Sequence, residues 1–310
     1  MNQDGAPHSA LARDLADAGY LSDDRLALTS WLALVLERPL LVEGPAGVGK
    51  TDLARALAQA LQRELVRLQC YEGLDEAKAL YEWNYAKQML YTQLLRQTVT
   101  STTSGAPSLA DAIDHLAGAD AAFFSQRFLV ARPLLRALTS EAPVVMLVDE
   151  VDRADPEFEA ILLEVLAERQ VTIAELGTIR AKSVPLFVLT SNGTRDLTDA
   201  LRRRCLHAFL EYPTPSREQA ILELRVPGIG KVLAKELSAL AEKVRRMDLR
   251  KVPSIAETID WARALVVLGA TAIDRDLASA TLGVFVKYEE DRAKVEAELE
   301  RILAIQRQAP

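Results

Sequence analysis

Residues 39–51 read PLLVEGPAGVGKT, and this stretch decides the fold class of the chain. Its last eight positions satisfy the pattern G-x-x-x-x-G-K-S/T, and they are Gly44, Pro45, Ala46, Gly47, Val48, Gly49, Lys50 and Thr51. An apolar run precedes the pattern and apolar residues at helical spacing follow it, which predicts a buried strand, a glycine-rich turn and a helix. Such a turn directs backbone N–H groups at phosphate oxygens. We therefore predict ATP or GTP binding, with Lys50 on the β- and γ-phosphates and Thr51 on Mg²⁺.

Apolar runs alternate with longer helical patterns beyond this stretch. The predicted strands are residues 39–43, 65–70, 144–149, 185–191 and 207–212. The predicted helices are residues 50–62, 75–98, 108–117, 123–140, 156–169 and 196–204, with a polar loop over 98–108. Three of the strands are apolar almost throughout, as is typical of strands that helices cover on both faces. The alternation predicts an α/β fold with a parallel sheet flanked by helices.

The two ends of the chain differ from this alternating part. Residues 1–10 are small and polar, so we expect disorder there, whereas apolar residues recur at helical spacing over 11–36. After Pro213 only helical patterns remain. The chain has 310 residues, about twice the usual length of a domain. We predict an α/β nucleotide-binding domain over residues 1–212 and an all-helical domain over 213–310.

Two carboxylates follow a second apolar run, VVMLV (144–148): Asp149 and Glu150. They stand at the carboxyl end of a predicted parallel strand, where such sheets bind ligands. This placement predicts that Asp149 holds Mg²⁺ through water and that Glu150 polarises the attacking water as general base. The alternative is that these acidic residues only end the strand ahead of the next helix, which starts near Pro156.

Asn192 ends a third buried run, PLFVLTS (185–191). Its amide is placed to orient the water or the γ-phosphate, although Asn-Gly at 192–193 is also a plain turn signal. The short helix that follows ends in three arginines, Arg202, Arg203 and Arg204. One of them is a candidate arginine finger for a neighbouring subunit, and the sequence pattern does not choose among them. The alternative is a solvated basic helix end.

Taken together and in this order, these motifs resemble those of the AAA+ ATPases. Within this class, the chain resembles the MoxR group in three blocks: EGPAGVGKT (43–51), VVMLVDEVDRADPEFEAILLEVLAE (144–168) and LTSNGTRDLTDALRRRCL (189–206). The stretch CYEGLDEAKALYEWNYAKQML (70–90), with FLVARPLLRAL (128–138), is similar to the CoxD-like branch, whose members assist maturation of molybdenum-containing carbon monoxide dehydrogenases.

The resemblance implies an AAA+ core with a C-terminal helical lid, and an ATP-driven ring, typically hexameric, that remodels a client protein. It implies a metalloenzyme client and a von Willebrand A-domain partner. On this basis Lys50 and Thr51 are the Walker A pair, Asp149 and Glu150 the Walker B pair and Asn192 sensor 1. The finger matches Arg204, and residues 171–183 match a hairpin that precedes sensor 1.

One position departs from the family pattern. Many MoxR proteins begin a lid helix with Ser-Pro-Arg, and that arginine senses the γ-phosphate. Here the matching run is Val252-Pro253-Ser254, so serine occupies the arginine position. Ser254 and Glu257 form a predicted capping box, which gives the position a structural role. Arg250 and Lys251 are the neighbouring candidates for the sensing role.

The chain carries a net charge of -7, from 37 Lys and Arg against 44 Asp and Glu. This balance weighs against a nucleic-acid motor, because phosphate-binding surfaces are usually basic. Two further hypotheses stay open: an activator of Rubisco or of another metalloenzyme, and a binding module for which slow hydrolysis is a timer. No apolar run reaches the ~18 residues that span a bilayer. We expect a cytoplasmic protein that reaches the membrane only through a partner. Cys70 is predicted to pack in the core, and sulfur handling by Cys70 or Cys205 is the alternative.

Overall fold

The computed structural model describes residues 6–91, 93 and 125–308. The strands in this part of the chain are β1 (Leu40–Glu43), β2 (Leu65–Gln69), β3 (Tyr81–Trp83), β4 (Leu129–Ala131), β5 (Val145–Asp149), β6 (Gln170–Ile173), β7 (Gly177–Arg180), β8 (Leu186–Ser191) and β9 (Leu206–Phe209). The helices are α1 (Pro7–Asp17), α2 (Asp24–Val35), α3 (Lys50–Ala60), α4 (Glu76–Ala79), α5 (Pro133–Thr139), α6 (Pro156–Glu168), α7 (Asp199–Arg204), α8 (Pro215–Arg225), α9 (Lys231–Arg245), α10 (Ile255–Val267), α11 (Arg275–Phe285) and α12 (Glu289–Gln308).

A five-stranded parallel sheet forms the centre, in the order β2-β5-β8-β1-β9. These are the five strands that the apolar runs predict, with β9 starting one residue earlier and ending at Phe209. Every residue of β5 and β8 is buried, because helices cover both faces of the sheet. The predicted α/β fold with a parallel sheet flanked by helices is confirmed.

The N-terminal prediction needs two corrections. The expected disorder over residues 1–10 is wrong for Pro7 onwards, because α1 begins there with proline in its first turn and buries Leu11 and Leu15. The single helical stretch over 11–36 is two helices, since the chain turns at Gly19 and Asp23 caps α2 by accepting the Leu26 N–H at 2.7 Å. Residues 1–5 lie outside the described residues.

The segment between β2 and β5 also differs from its predicted helices. Within 75–98, β3 lies between the single turn α4 and a helical stretch over residues 85–91, and within 123–140, β4 precedes α5. The two short strands pair antiparallel, Tyr81 opposite Ala131, and the Tyr81 and Trp83 rings meet edge to face at 5.9 Å. This long-range pairing overrides the local helical pattern. The predicted loop over 98–108 and helix over 108–117 lie outside the described residues.

The hairpin expected over 171–183 is present as β6 and β7. Gly177 opens its second strand with a φ of +75°, a conformation that glycine adopts without strain. The hairpin leads directly into β8, which ends at the candidate site.

Residues 210–308 are all described, and their regular elements are the helices α8–α12 around a separate apolar core. Trp261 stacks on Phe285 at 4.8 Å in this core, and its indole N–H donates to Thr281 at 2.7 Å. Among the described residues, no helix combines the length and the apolar character that crossing a bilayer requires.

A buried ion pair fixes the loop before α10. Arg245 on α9 contacts Glu218 on α8 at 2.6 Å, and both side chains are almost fully buried. The guanidinium also donates to the Pro253 carbonyl at 2.8 Å and lies over the Tyr212 ring at 4.9 Å. Because Pro253 precedes Ser254, this arrangement positions the start of α10 against the glycine-rich loop.

Candidate functional site

The loop between β1 and α3 depends on glycine at two close approaches. Gly44 has a φ of +149°, and a Cβ there would lie 2.2 Å from the Leu210 carbonyl oxygen. Gly47 has a φ of +71°, and a Cβ there would lie 2.4 Å from the Ser254 hydroxyl. Gly49, with a φ of +103°, precedes the first turn of α3. The sequence pattern thus forms the strand, turn and helix that phosphate binding requires.

Lys50 lies at the centre of this loop with its side chain buried. Its ammonium donates to the carbonyls of Gly44 and Pro45, each at 2.7 Å, and to Asn192 Oδ1 at 2.8 Å. Burial lowers the pKa of Lys50, and the nearby carboxylates of Asp152, Asp149 and Glu150 oppose this shift. The structure therefore joins the loop after β1 to Asn192, the residue that follows β8.

Asp149 is buried at the end of β5, with the hydroxyl groups of Thr51 and Thr190 donating to its Oδ1 at 3.0 and 2.6 Å. Its Oδ2 accepts from Arg67 Nη2 at 2.7 Å. Hydroxyl and carboxylate oxygens are the ligands that Mg²⁺ prefers, and Thr51 and Asp149 already lie within hydrogen-bond distance. The donor set therefore fits the predicted Mg²⁺ position.

Glu150 leaves the strand in a left-handed conformation, φ 56° and ψ 51°, which is uncommon for a residue with a side chain. Its N–H donates to the Thr190 hydroxyl at 2.8 Å, which holds this turn. Its carboxylate accepts from Gln69 Nε2 at 3.1 Å, Arg153 Nη1 at 3.1 Å and Asn192 Nδ2 at 3.3 Å. One amide, that of Asn192, thus contacts both Lys50 and Glu150.

Two further carboxylates, which no local sequence motif marks, fasten the segment after β8. Asp152 accepts from the Asn192 N–H at 3.2 Å and from the N–H and hydroxyl of Thr194 at 2.9 and 2.7 Å. Burial acts to raise the pKa of Asp152, but these hydrogen bonds outweigh it and hold the pKa below its ordinary value. Glu159, fully buried on α6, accepts from Arg195 at 2.6 Å and from the Thr198 hydroxyl at 2.7 Å.

The three arginines that end α7 have different surroundings. Arg202 makes a two-pronged ion pair with Glu43, the last residue of β1, at 2.8 and 3.0 Å. Arg203 and Arg204 are exposed, and the Arg204 guanidinium donates only weakly to the Ala200 carbonyl, at 3.3 Å. Arg202 is therefore committed to its own subunit, which leaves Arg203 and Arg204 as the candidates for contact with a neighbour.

A cavity of about 360 Å³ lies among the glycine-rich loop, the ends of β5 and β8 and the helix α10. The glycine-rich loop, Asp149, Glu150 and Asn192 line one side, and one face of α10 lines the other with Ile255, Ile259 and Arg263. A second cavity of about 420 Å³ shares Gly49, Ile255 and Ile259 with the first. Its further apolar lining is Tyr20, Leu21, Val48, Leu210, Ile221 and Leu224. Charged residues, among them Asp23, Asp52 and Arg217, also line it. Apart from Val48, which belongs to the glycine-rich motif, no local motif marks the lining residues, because they come from distant segments.

Ser254 caps α10 as the sequence predicts: its side chain accepts the Glu257 N–H, and the Glu257 carboxylate accepts the Ser254 N–H. Arg250 lies over the Tyr288 ring at 4.3 Å, and Lys251 pairs with Glu257 at 3.0 Å. Both residues lie in the described part of the chain, and neither lines the cavity. The basic residues that line the cavity from the described helices after residue 213 are Arg225 and Arg263.

Replacing Ser254 is expected to lower the free energy of unfolding, and by more for arginine than for alanine. Ser254→Ala removes the cap and should lower the free energy of unfolding by about 1 kcal/mol. Ser254→Arg restores the residue type of the family pattern, but we expect a larger loss, because Ser254 is buried against Gly47. Thermal unfolding of both variants checks the order, with Ser254→Asp as a control that retains a capping oxygen. An arginine variant as stable as the serine protein would contradict it.

Cys70 and Cys205 are buried free thiols. Burial raises the pKa of each thiol to about 12, so both remain protonated at neutral pH. Since the thiolate is the reactive form, this environment disfavours a sulfur-handling role for either residue.

Comparison with known proteins agrees with this geometry. Residues 39–205, more than half of the chain, match the AAA domain of the dynein-related subfamily. The chaperone protein ClpB 2 of Thermosynechococcus vestitus is 26% identical over 216 residues, which cover 66% of this chain and 20% of ClpB 2. The denitrification regulatory protein NirQ of Pseudomonas aeruginosa is 22% identical over 227 residues, 71% of this chain and 72% of NirQ. The chain thus spans about a fifth of the length of the ClpB relative.

Among solved structures, the RuvB Holliday junction branch migration motor of Thermotoga maritima aligns with a TM-score of 0.45 at 18% identity. The alignment covers 84% of this chain and 67% of that chain.

Proposed function

The chain belongs to the AAA family, dynein-related subfamily, and from that membership we propose that it is an Mg²⁺-dependent ATPase. The observation that carries this proposal is the position of the Asn192 amide, 2.8 Å from the Lys50 ammonium and 3.3 Å from the Glu150 carboxylate. A phosphate-binding cation, a general base and a group that orients the water are thereby held around one cavity.

Each residue has a definite role in the proposed reaction. The backbone N–H groups of the loop over residues 44–51, to which Pro45 contributes none, and the Lys50 ammonium bind the phosphates. Thr51 and Asp149 hold Mg²⁺, which when bound neutralises charge on the phosphate oxygens. Glu150 accepts a proton from the attacking water as the water oxygen bonds to the γ-phosphorus, the bond from that phosphorus to the bridging β-phosphate oxygen breaks, and ADP leaves. Asn192 holds that water or the γ-phosphate in line. The adjoining cavity, whose lining includes Tyr20, Val48 and Ile221, is the proposed site of the adenine ring.

We further propose that the protein works as a ring in which each subunit supplies Arg204 to the site of its neighbour. What supports this is the exposure of Arg204 at the end of a helix whose first turn is fastened to Glu159. An arginine finger stabilises charge that develops on the transferred phosphoryl group. A hexamer is the proposed size, in keeping with the resemblance to the MoxR group.

For the biological role we propose a cytoplasmic chaperone that matures a molybdenum-containing enzyme of the carbon monoxide dehydrogenase type, together with a von Willebrand A-domain partner. The support is the CoxD-like character of residues 70–90 and 128–138. One relative is named a chaperone protein, and another is named a denitrification regulatory protein. The two buried, unpaired cysteines suit a reducing compartment.

A trap experiment tests the role. Tagged Glu150→Gln protein, expressed in its source cell and purified in ATP and Mg²⁺, is expected to retain its client because the bound nucleotide is not hydrolysed. The matched control adds Lys50→Ala to the same variant, which removes the phosphate-binding cation. Recovery of a molybdoenzyme subunit or a von Willebrand A-domain protein with the trap and not with the control supports the proposal. Recovery of nuclease-sensitive DNA with replication proteins would contradict the chaperone role and leave the ATPase proposal standing.

A further inference from the structure

The edge strand β2 contacts both carboxylates at the end of β5. Arg67 and Gln69 are two residues apart, so their side chains lie on one face of the strand, and they hydrogen-bond to each other. Arg67 Nη2 donates to Asp149 Oδ2 at 2.7 Å, and Gln69 donates to Glu150. The family motifs assign no role to Arg67.

The pair between Arg67 and Asp149 is unequal in its surroundings. The Asp149 side chain is 4% exposed, whereas that of Arg67 is 44% exposed. A buried carboxylate is costly without a partner, so Arg67 supplies the positive charge that stabilises Asp149. The guanidinium itself has access to solvent, and β2 has no strand on its outer side in the five-stranded sheet. Arg67 can therefore leave Asp149 and be hydrated without a comparable cost.

A divalent cation and a guanidinium compete for the same carboxylate. Asp149 Oδ1 already accepts two hydroxyl groups, from Thr51 and Thr190, and Arg67 takes Oδ2. A cation that binds between Thr51 and Asp149 comes within a few ångströms of the guanidinium, where repulsion between like charges is strong because the surroundings are partly buried. The cation gains Asp149 fully only when Arg67 moves away.

We propose that Arg67 is the resident counter-ion of Asp149 and competes with Mg²⁺ for this carboxylate, so that it sets the Mg²⁺ concentration at which nucleotide binds tightly. The proposal rests on the ATPase function given above. Arg67 is a positioning residue in this scheme: it neutralises Asp149 in the nucleotide-free protein and yields it when Mg²⁺ and nucleotide enter together. The site is thereby kept stable when empty, at the expense of Mg²⁺ affinity.

The test uses the full chain and the Mg²⁺ dependence of binding of a fluorescent, methylanthraniloyl ATP analogue. Arg67→Gln removes the competing charge, and we expect its half-saturating Mg²⁺ concentration to fall by about fivefold or more. Its unfolding temperature without Mg²⁺ should fall, since Asp149 loses its partner, while the rise in unfolding temperature on adding Mg²⁺ and analogue should grow. Arg136→Gln is the matched control, because it removes an ion pair with Glu64 on the protein surface.

A second variant, Arg67→Lys, retains the charge and guards against misfolding of the first. Its half-saturating Mg²⁺ concentration should stay nearer that of the unaltered protein. If Arg67→Gln lowers stability but its half-saturating Mg²⁺ concentration is unchanged or higher, the competition is refuted and the pair is structural. The same holds if the half-saturating concentration of the lysine variant falls as far as that of the glutamine variant. If the unaltered protein shows no Mg²⁺-dependent binding of the analogue, it is the proposed ATPase function that fails.

Discussion

Glu150→Gln is expected to lower the rate of ATP hydrolysis by two or more orders of magnitude and to leave ATP binding nearly unchanged. Glutamine has the same shape but cannot take a proton from the attacking water, and a positioned general base contributes ~10²–10⁴-fold. The proposed phosphate ligands are Lys50 and the N–H groups of the glycine-rich loop, which the substitution does not alter, so we expect the phosphate contacts to remain in the variant. Phosphate release and equilibrium binding of a fluorescent ATP analogue, measured on the same preparation, separate the two effects.

The matched control for this prediction is Glu157→Gln, which makes the same chemical change on an exposed position in the first turn of α6. Its turnover should equal that of the unaltered protein. Undiminished hydrolysis by Glu150→Gln would show that another group takes the proton. A joint loss of binding and hydrolysis would instead show that Glu150 holds the pocket together through Gln69 and Asn192.

The sequence predicts the central sheet and the phosphate loop because both are encoded locally. A strand buried on both faces is an uninterrupted apolar run, as in Val145–Asp149, and the loop needs glycines at fixed spacing to avoid contacts such as the one at Gly44. The carboxyl ends of parallel strands meet at one edge, so the proximity of Asp149 and Asn192 follows from the order of the strands. In the structure the Asn192 amide contacts Lys50 and Glu150, a pair of contacts that the sequence pattern does not specify.

What the sequence does not predict depends on contacts between distant segments. β3 and β4 are three residues each and pair across more than 40 positions, so their helix-like local pattern misleads. The second cavity beside the loop draws Tyr20, Val48 and Ile221 from three separate segments of the chain. Arg67 and Gln69 have the pattern of the solvent side of an alternating strand, and only the pairing of β2 with β5 brings them to the two carboxylates.

The division of the chain at residues 212 and 213 remains a prediction about domains. Side chains from the two sides of this boundary contact each other: the Arg245 guanidinium lies over the Tyr212 ring. The start of α10 lies directly against the glycine-rich loop, because a Cβ at Gly47 would lie 2.4 Å from the Ser254 hydroxyl. Arg263, two turns further along α10, lines the cavity from the same helix.

Arg204→Ala is expected to reduce hydrolysis by about 10³-fold or more, the usual contribution of an arginine finger. ATP binding should persist, because Arg204 contacts none of the residues that line the site of its own subunit. Arg203→Ala is the matched control, since it removes an equally exposed arginine from the adjacent position of the same helix end. Arg202→Ala should act differently and destabilise the protein, because it leaves Glu43 without its two-pronged partner.

Mixing two inactive proteins distinguishes a finger that acts on a neighbour from one that acts within its own subunit. Lys50→Ala lacks the phosphate cation but has Arg204, and Arg204→Ala has the cation but lacks the arginine. In an equimolar mixture that assembles at random, about one interface in four joins an intact Lys50 to an intact Arg204, so hydrolysis should recover to about a quarter of the normal rate. A residue acting only within its own subunit gives no recovery at any ratio, because every subunit then remains defective. Recovery with Arg203→Ala in place of Arg204→Ala, from an equally inactive start, would move the finger to Arg203.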